Sequence, residues 1–238
     1  MRRLPLAIAT LFALVGSAAA GDYADRAIIG FSADGAYFAF EEYGVQDGSG
    51  FPYSTIYVIQ TATDSWVSGT PFSVILQNEQ ATLESARQQA LSQALQLLTQ
   101  FGISHPGRGL VVNPITEITG NGHDAEFLLR PLVPLPTSGA KLALFETTLP
   151  APDCPDFGNS YKGFDLTLTT PEGAVRTLQH DTRIPQTRRC PLGYGISDVI
   201  AFDAGDRDLV LIVLINVFSL GFEGPDRRFI AIATDITN

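Results

Sequence analysis

Glu41 and Glu42 stand side by side, and Tyr43, Asp47, Phe51 and Tyr53 follow across the glycine-rich stretch Gly44 to Gly50. Acids and aromatic rings on a loop carried by a rigid sheet make a recognition surface: the rings supply contact area and the carboxylates supply direction. A second group is Glu223-Gly224-Pro225-Asp226-Arg227-Arg228, where paired arginines sit beside two acids. Its bland reading is an ion-paired hairpin tip, since exposed ion pairs are common and contribute little. Arg227 and Arg228 nevertheless complete the set of residues expected to meet a partner.

Other residue groupings lead to less chemistry. Asp203, Asp206 and Asp208 place three carboxylates in one hairpin loop, an oxygen-ligand set of the kind calcium takes. The closing bidentate glutamate and the helix–loop–helix setting are missing, and Arg207 sits among the acids, so no metal is assigned. His105, His123 and His180 are isolated in the chain, whereas zinc usually draws at least two ligands from one local spacing. Ser138-Gly139-Ala140-Lys141 matches the Ser-x-x-Lys of penicillin-recognising enzymes. Pro136 and Gly139 oppose the helix start which that motif needs, and neither lysine opens a Lys-Thr-Gly. Gly-x-Ser-x-Gly does not occur, and Cys154 and Cys190 are not arranged as Cys-x-x-Cys. The sequence therefore assigns no catalytic residue and no cofactor.

Most of the elements that must position these residues read as short strands. Residues 27–67 form a blade-like meander. Ile29 and Phe31 alternate, Asp34-Gly35 turns, Ala36, Phe38 and Phe40 resume the alternation, and Ile56 to Ile59 and Trp66-Val67 follow. Residues 79–101 form one long amphipathic helix with Leu83, Arg87, Ala90, Ala94, Leu97, Leu98 and Phe101 inward, stopped by Gly102. Residues 127–234 return to strands at Phe127–Arg130 and Leu142–Thr148. A hairpin then turns at Thr170-Pro171-Glu172-Gly173, with Phe164, Leu166 and Leu168 inward. The last strands span Val199–Phe202, Asp208–Leu220 and Arg228–Ala233. The run Leu209 to Phe218 is β-branched and too short to span a bilayer, so it reads as a strand buried on both faces. No βαβ rhythm occurs, and the fold class is α+β, mainly antiparallel β.

Composition places the chain outside the cytoplasm. Arg2 and Arg3, an apolar stretch from Leu4 to Val15, and Ala18-Ala19-Ala20 read as a signal peptide over residues 1–20. A single soluble secreted or periplasmic domain over 21–238 would remain, with no stable membrane insertion. The chain carries 15 Lys+Arg against 25 Asp+Glu, a formal charge of −10. Losing Arg2 and Arg3 makes the mature form more acidic still, which disfavours nucleic acid as a partner. Export also predicts that the two cysteines pair. A Cys154–Cys190 bridge would clamp the base of the Phe164–Gln179 hairpin.

Three stretches carry a family resemblance. They are Phe31 to Gly35 continuing through Glu41 to Ser54, the helix around Ala86 to Gly102, and Gly221 to Arg228. Together they resemble a bacterial family of predicted secreted proteins classed only as a domain of unknown function. The resemblance implies export and a single domain, and it transfers no catalytic residue. The expected function is a non-enzymatic binding domain of the bacterial cell envelope, with an unknown envelope protein or ligand as partner. The alternative is a periplasmic hydrolase or metal-dependent enzyme whose site is assembled from dispersed residues.

Overall fold

The computed structural model describes residues 21–117, 120–131, 133–134, 138–205, 209–222 and 224–236. The expected signal peptide at residues 1–20 lies outside the described residues. An N-terminal sheet contains β1 (Asp25–Phe31), β2 (Tyr37–Val45), β3 (Pro52–Gln60), β4 (Ser65–Trp66) and β5 (Phe72–Ile75). Its order is β1-β2-β3, with β4 and β5 sharing the far edge of β3. One helix, α1 (Leu83–Gln100), covers this sheet. A central sheet and an outer sheet follow from β6 (Arg108–Val112), β7 (Asp124–Phe127), β8 (Ala140–Thr148), β9 (Lys162–Thr169), β10 (Val175–His180), β11 (Pro191–Phe202), β12 (Leu209–Ser219) and β13 (Asp226–Ile236). The central order is β13-β12-β11-β6 and the outer order is β10-β9-β8-β7. Every strand ladder described is antiparallel. The fold is α+β and mostly β.

Period-two alternation in β12 explains the layering. Leu209, Leu211, Val213, Ile215 and Val217 pack against the outer sheet, in a core with Leu142, Leu144, Phe164, Leu166 and Leu168. Val210, Ile212 and Leu214 point the other way and pack with Phe31, Phe38 and Phe40 of the N-terminal sheet. Each side chain so buried contributes roughly 1.5–3 kcal/mol. A strand that must be apolar on both faces loses the polar half of the usual pattern, which is why residues 209–218 read as a continuous apolar run.

The helix starts at Leu83 rather than at residue 79. Thr82 caps it, its hydroxyl accepting from the Ser85 N–H at 3.1 Å, while residues 78–81 form the preceding turn. At the other end Gly102 adopts φ +61°. Its N–H reaches the Thr99 carbonyl, and the Ile103 N–H reaches that of Leu98, a paired closure that satisfies the last carbonyls. Of the expected inward stripe, Ala90, Ala94 and Leu98 are buried, while Leu83, Arg87, Leu97 and Phe101 are half-buried. Ala86, outside that stripe, is fully buried. Three alanines let the helix lie close upon Ile56 and Val58 of β3.

Ile29 and Phe31 do not share a face. A bulge between Ile28 and Gly30 shifts the register against β2, so Ile29 packs toward the helix and Phe31 toward the central sheet. Gly30 permits this with φ +136°, a region other residues rarely enter, and a Cβ there would lie 2.6 Å from the His105 carbonyl oxygen. Strands β5 and β6 arise where no period was visible. The hairpin β9–β10 turns at the expected tetrapeptide, with Gly173 N–H bonding the Thr170 carbonyl at 2.9 Å. Cys154 and Cys190 are disulfide-bonded, with their Cα atoms 5.6 Å apart.

Candidate functional site

Glu41 and Glu42 lie within β2 and not on the loop that follows. As neighbours in a strand they point to opposite faces of the sheet. Glu41 faces the helix. Arg87 donates to both its oxygens, Nε to Oε1 at 3.0 Å and a terminal nitrogen to Oε2 at 2.7 Å, and the Ser54 hydroxyl donates to Oε1 at 2.9 Å. The Tyr43 ring lies under the same guanidinium, 3.9 Å from centroid to carbon. The two carboxylates are thus separated by the sheet and cannot work as one acid–base pair.

Glu42 faces the central sheet at 3 % exposure. Its carboxylate accepts from the Phe229 N–H at 2.8 Å, and Arg228 Nε stands 3.5 Å away. Arg228 also pairs with Asp22 and lies over the Tyr53 ring at 4.9 Å, while the Tyr53 hydroxyl donates to Asp22 at 2.8 Å. Asp22, Glu42, Tyr53 and Arg228 therefore form one buried network joining the start of the described chain, β2, β3 and β13. Burial pushes the Glu42 carboxyl up to about 7, opposed by the Phe229 N–H and by the charges of Arg228 and Arg189. Burial likewise raises the Tyr53 and Tyr57 hydroxyls.

A pH dependence follows. A carboxyl whose folded value stands above its ordinary 4.5 contributes stability that is complete below that pH and lost as pH rises through about 7. Glu42→Gln removes the titration. The variant should gain about 3 kcal/mol relative to the native protein between about pH 4.5 and pH 8. Urea unfolding of both proteins at these two pH values measures it, and equal slopes would mean that Glu42 stays solvated.

Above this network a cleft of about 260 Å³ opens between the N-terminal and central sheets. Glu42, Tyr57, Trp66, Ser73, Arg189 and Arg228 line it, with Gln46 from the β2–β3 connection. Phe40 stacks on Tyr57 at 4.9 Å, and Tyr57 meets Trp66 at 5.5 Å, so an aromatic row runs from the core to the rim. Arg188, which also borders the cleft, is held elsewhere. It pairs with buried Asp181 and lies over Phe164 and Tyr194. Arg189 closes the short 3-10 turn Gln186–Arg188 with φ +57° and a hydrogen bond from its N–H to the Gln186 carbonyl.

The residues expected to meet a partner are brought together only in part. Glu42, Tyr53 and Arg228 share the cleft wall, whereas Glu41 and Tyr43 lie on the helix side of the sheet. Asp47 and Phe51 sit half-buried in the β2–β3 connection, where the Phe51 carbonyl accepts from Gln46 N–H at 2.9 Å. Arg227 donates to the Ala24 carbonyl. Arg227 and Arg228 belong to β13 and not to a hairpin tip, and Glu223 lies outside the described residues. Asp203 pairs with Arg130 at 3.1 Å, while Asp206 and Asp208, the other two calcium candidates, lie outside the described residues. Trp66, Tyr57, Asp22 and Arg189 were missed. The lone tryptophan and the Arg188-Arg189 pair beside Cys190 were the signals available.

This β-rich, cleft-bearing chain belongs to the family described as Predicted secreted protein (DUF2259), whose model matches residues 39–234. The matched span takes in most of β2, the cleft and most of the central sheet. The family description agrees with the export read from residues 1–20. No helix among the described residues is long and apolar enough to cross a membrane. No curated protein matches the chain.

Proposed function

We propose that the protein is a non-enzymatic binding domain of the bacterial cell envelope whose ligand lodges in the cleft between β3 and β13. The make-up of that cleft carries the reading. Rings from Tyr57 and Trp66, hydroxyls from Thr55 and Ser73, and guanidinium groups from Arg189 and Arg228 surround a single carboxyl, Glu42. Aromatic surface with a few convergent polar groups is how small-ligand sites are built. Hydrolysis of a glycoside needs two carboxyl groups facing one bond. Among the described lining residues Glu42 is the one acid, and Glu41 is engaged by Arg87 on the far side of the sheet.

A hydrolytic site is favoured by a different cluster. Glu146 accepts from Lys162 and from the Tyr194 N–H, with His123 at 3.7 Å, so three titratable groups from distant sequence positions converge. One experiment separates the readings. The protein is incubated with an envelope extract of small molecules and wall fragments, and the retained compounds are weighed by mass spectrometry after ultrafiltration. Retention of compounds unchanged in mass, abolished by the cleft-filling Ser73→Phe, is the expected result. Conversion to new masses that stops with His123→Ala would favour the hydrolase, and unchanged retention by Ser73→Phe would refute the cleft.

A further inference from the structure

We infer that the cleft takes a ring-bearing organic anion, with Arg189 pairing to its carboxylate or phosphate and Trp66 lying against its flat face. The inference rests on the binding reading above and adds the chemical class of the ligand. Three arginines border the cleft, and two of them already have close partners. Arg228 is held by Asp22 and Glu42, and Arg188 by Asp181. Arg189 differs. Its ion pair to Asp226 spans 3.9 Å, and 64 % of its side chain is exposed. A pair of that kind is worth at most about 1 kcal/mol, so an incoming anion displaces it readily. The planar guanidinium then offers two parallel donors, the geometry that carboxylate and phosphate oxygens match.

The backbone supports the same assignment. Arg189 is one of two non-glycine residues with positive φ among those described, and such a conformation costs about 1–3 kcal/mol. The hydrogen bond to Gln186 and the disulfide at the next residue, Cys190, hold it there. So placed, Arg189 lines the same cleft as Glu42 and Tyr57. Glu42 is the opposing acid, and burial weakens its charge near neutral pH. Of the three guanidiniums bordering the cleft, that of Arg189 is therefore the one whose charge is least neutralised by a close acid. Trp66, which lines the same cleft, is 48 % exposed and braced by Tyr57. An exposed ring and a loosely paired guanidinium on the wall of one cleft suit a ligand with one flat face and one negative group.

Trp66 is the chain's one tryptophan, so its emission reports on this cleft alone. Full-length mature protein is titrated with benzoate against benzyl alcohol, and with glucuronate against glucose. The two pairs distinguish an aryl acid from an acidic sugar. At least one anion should give a saturable change in Trp66 emission and bind about tenfold or more tightly than its neutral counterpart. Arg189→Gln should weaken that anion by a similar factor, with Arg189→Lys intermediate. Arg176→Gln, at an exposed arginine outside the cleft, should bind as the native protein does. Equal binding of the neutral partner, an unaffected Arg189→Gln, or silence with all four probes overturns the inference. The binding reading itself falls only with the extract retention experiment.

Discussion

Arg228→Ala is expected to lower the unfolding free energy by about 3–5 kcal/mol, because it strands a buried carboxylate without its cation. Asp22 is 7 % exposed and Glu42 3 %. Glu42 can relieve its loss by taking up a proton, as its value of about 7 already foreshadows. Asp22 keeps the Tyr53 hydroxyl but loses its charged partner. The penalty should therefore fall mainly on Asp22. Urea unfolding followed by Trp66 emission gives the number. Asp22→Asn in the Arg228→Ala background should recover more than half of it, since the pair is then absent and not broken. A loss below about 1 kcal/mol would mean that water reaches the network and that the pair behaves as a surface one.

Removing the disulfide with Cys154→Ser and Cys190→Ser should cost about 3–4 kcal/mol, the entropy of leaving a 36-residue separation open in the unfolded chain. The bridge ties the connection between β8 and β9 to the start of β11, and the β9–β10 hairpin lies between its ends. Comparison of urea midpoints for the native and doubly substituted proteins tests this, with the reduced native protein as a control for the serine hydroxyls. A second readout belongs to the site. Cys190 follows Arg189, so opening the bridge should also weaken anion binding at Trp66 under conditions where both proteins are fully folded. Unchanged affinity would show that the hydrogen bond to Gln186 is enough to hold Arg189.

Much of the architecture was legible because it depends on local pattern. The alternation of Phe164, Leu166 and Leu168, the Thr170–Gly173 turn and the helix stop at Gly102 each report a preference of a few adjacent residues, and each appears in the structure. The doubly apolar run of β12 was legible for the same reason, since only a strand covered on both sides tolerates it. The bulge at Gly30 was not. One inserted residue reverses which face Ile29 occupies, and no composition signal marks it. Strands β5 and β6 were also hidden, being four and five residues long and only partly buried.

Export, the pairing of two cysteines and a β-rich antiparallel body follow from the amino-acid sequence by itself, because signal chemistry, redox compartment and side-chain period act over short stretches. The cleft does not. Glu41 and Glu42 look alike as neighbours, yet strand geometry sends one to Arg87 beneath the helix and the other to Arg228 beside the cleft. Trp66, Arg189 and Arg228 come to line one cleft only when β13 pairs with β12 and the N-terminal sheet packs across them. Such long-range meetings are set by how whole sheets bury their faces, and tertiary structure alone decides them.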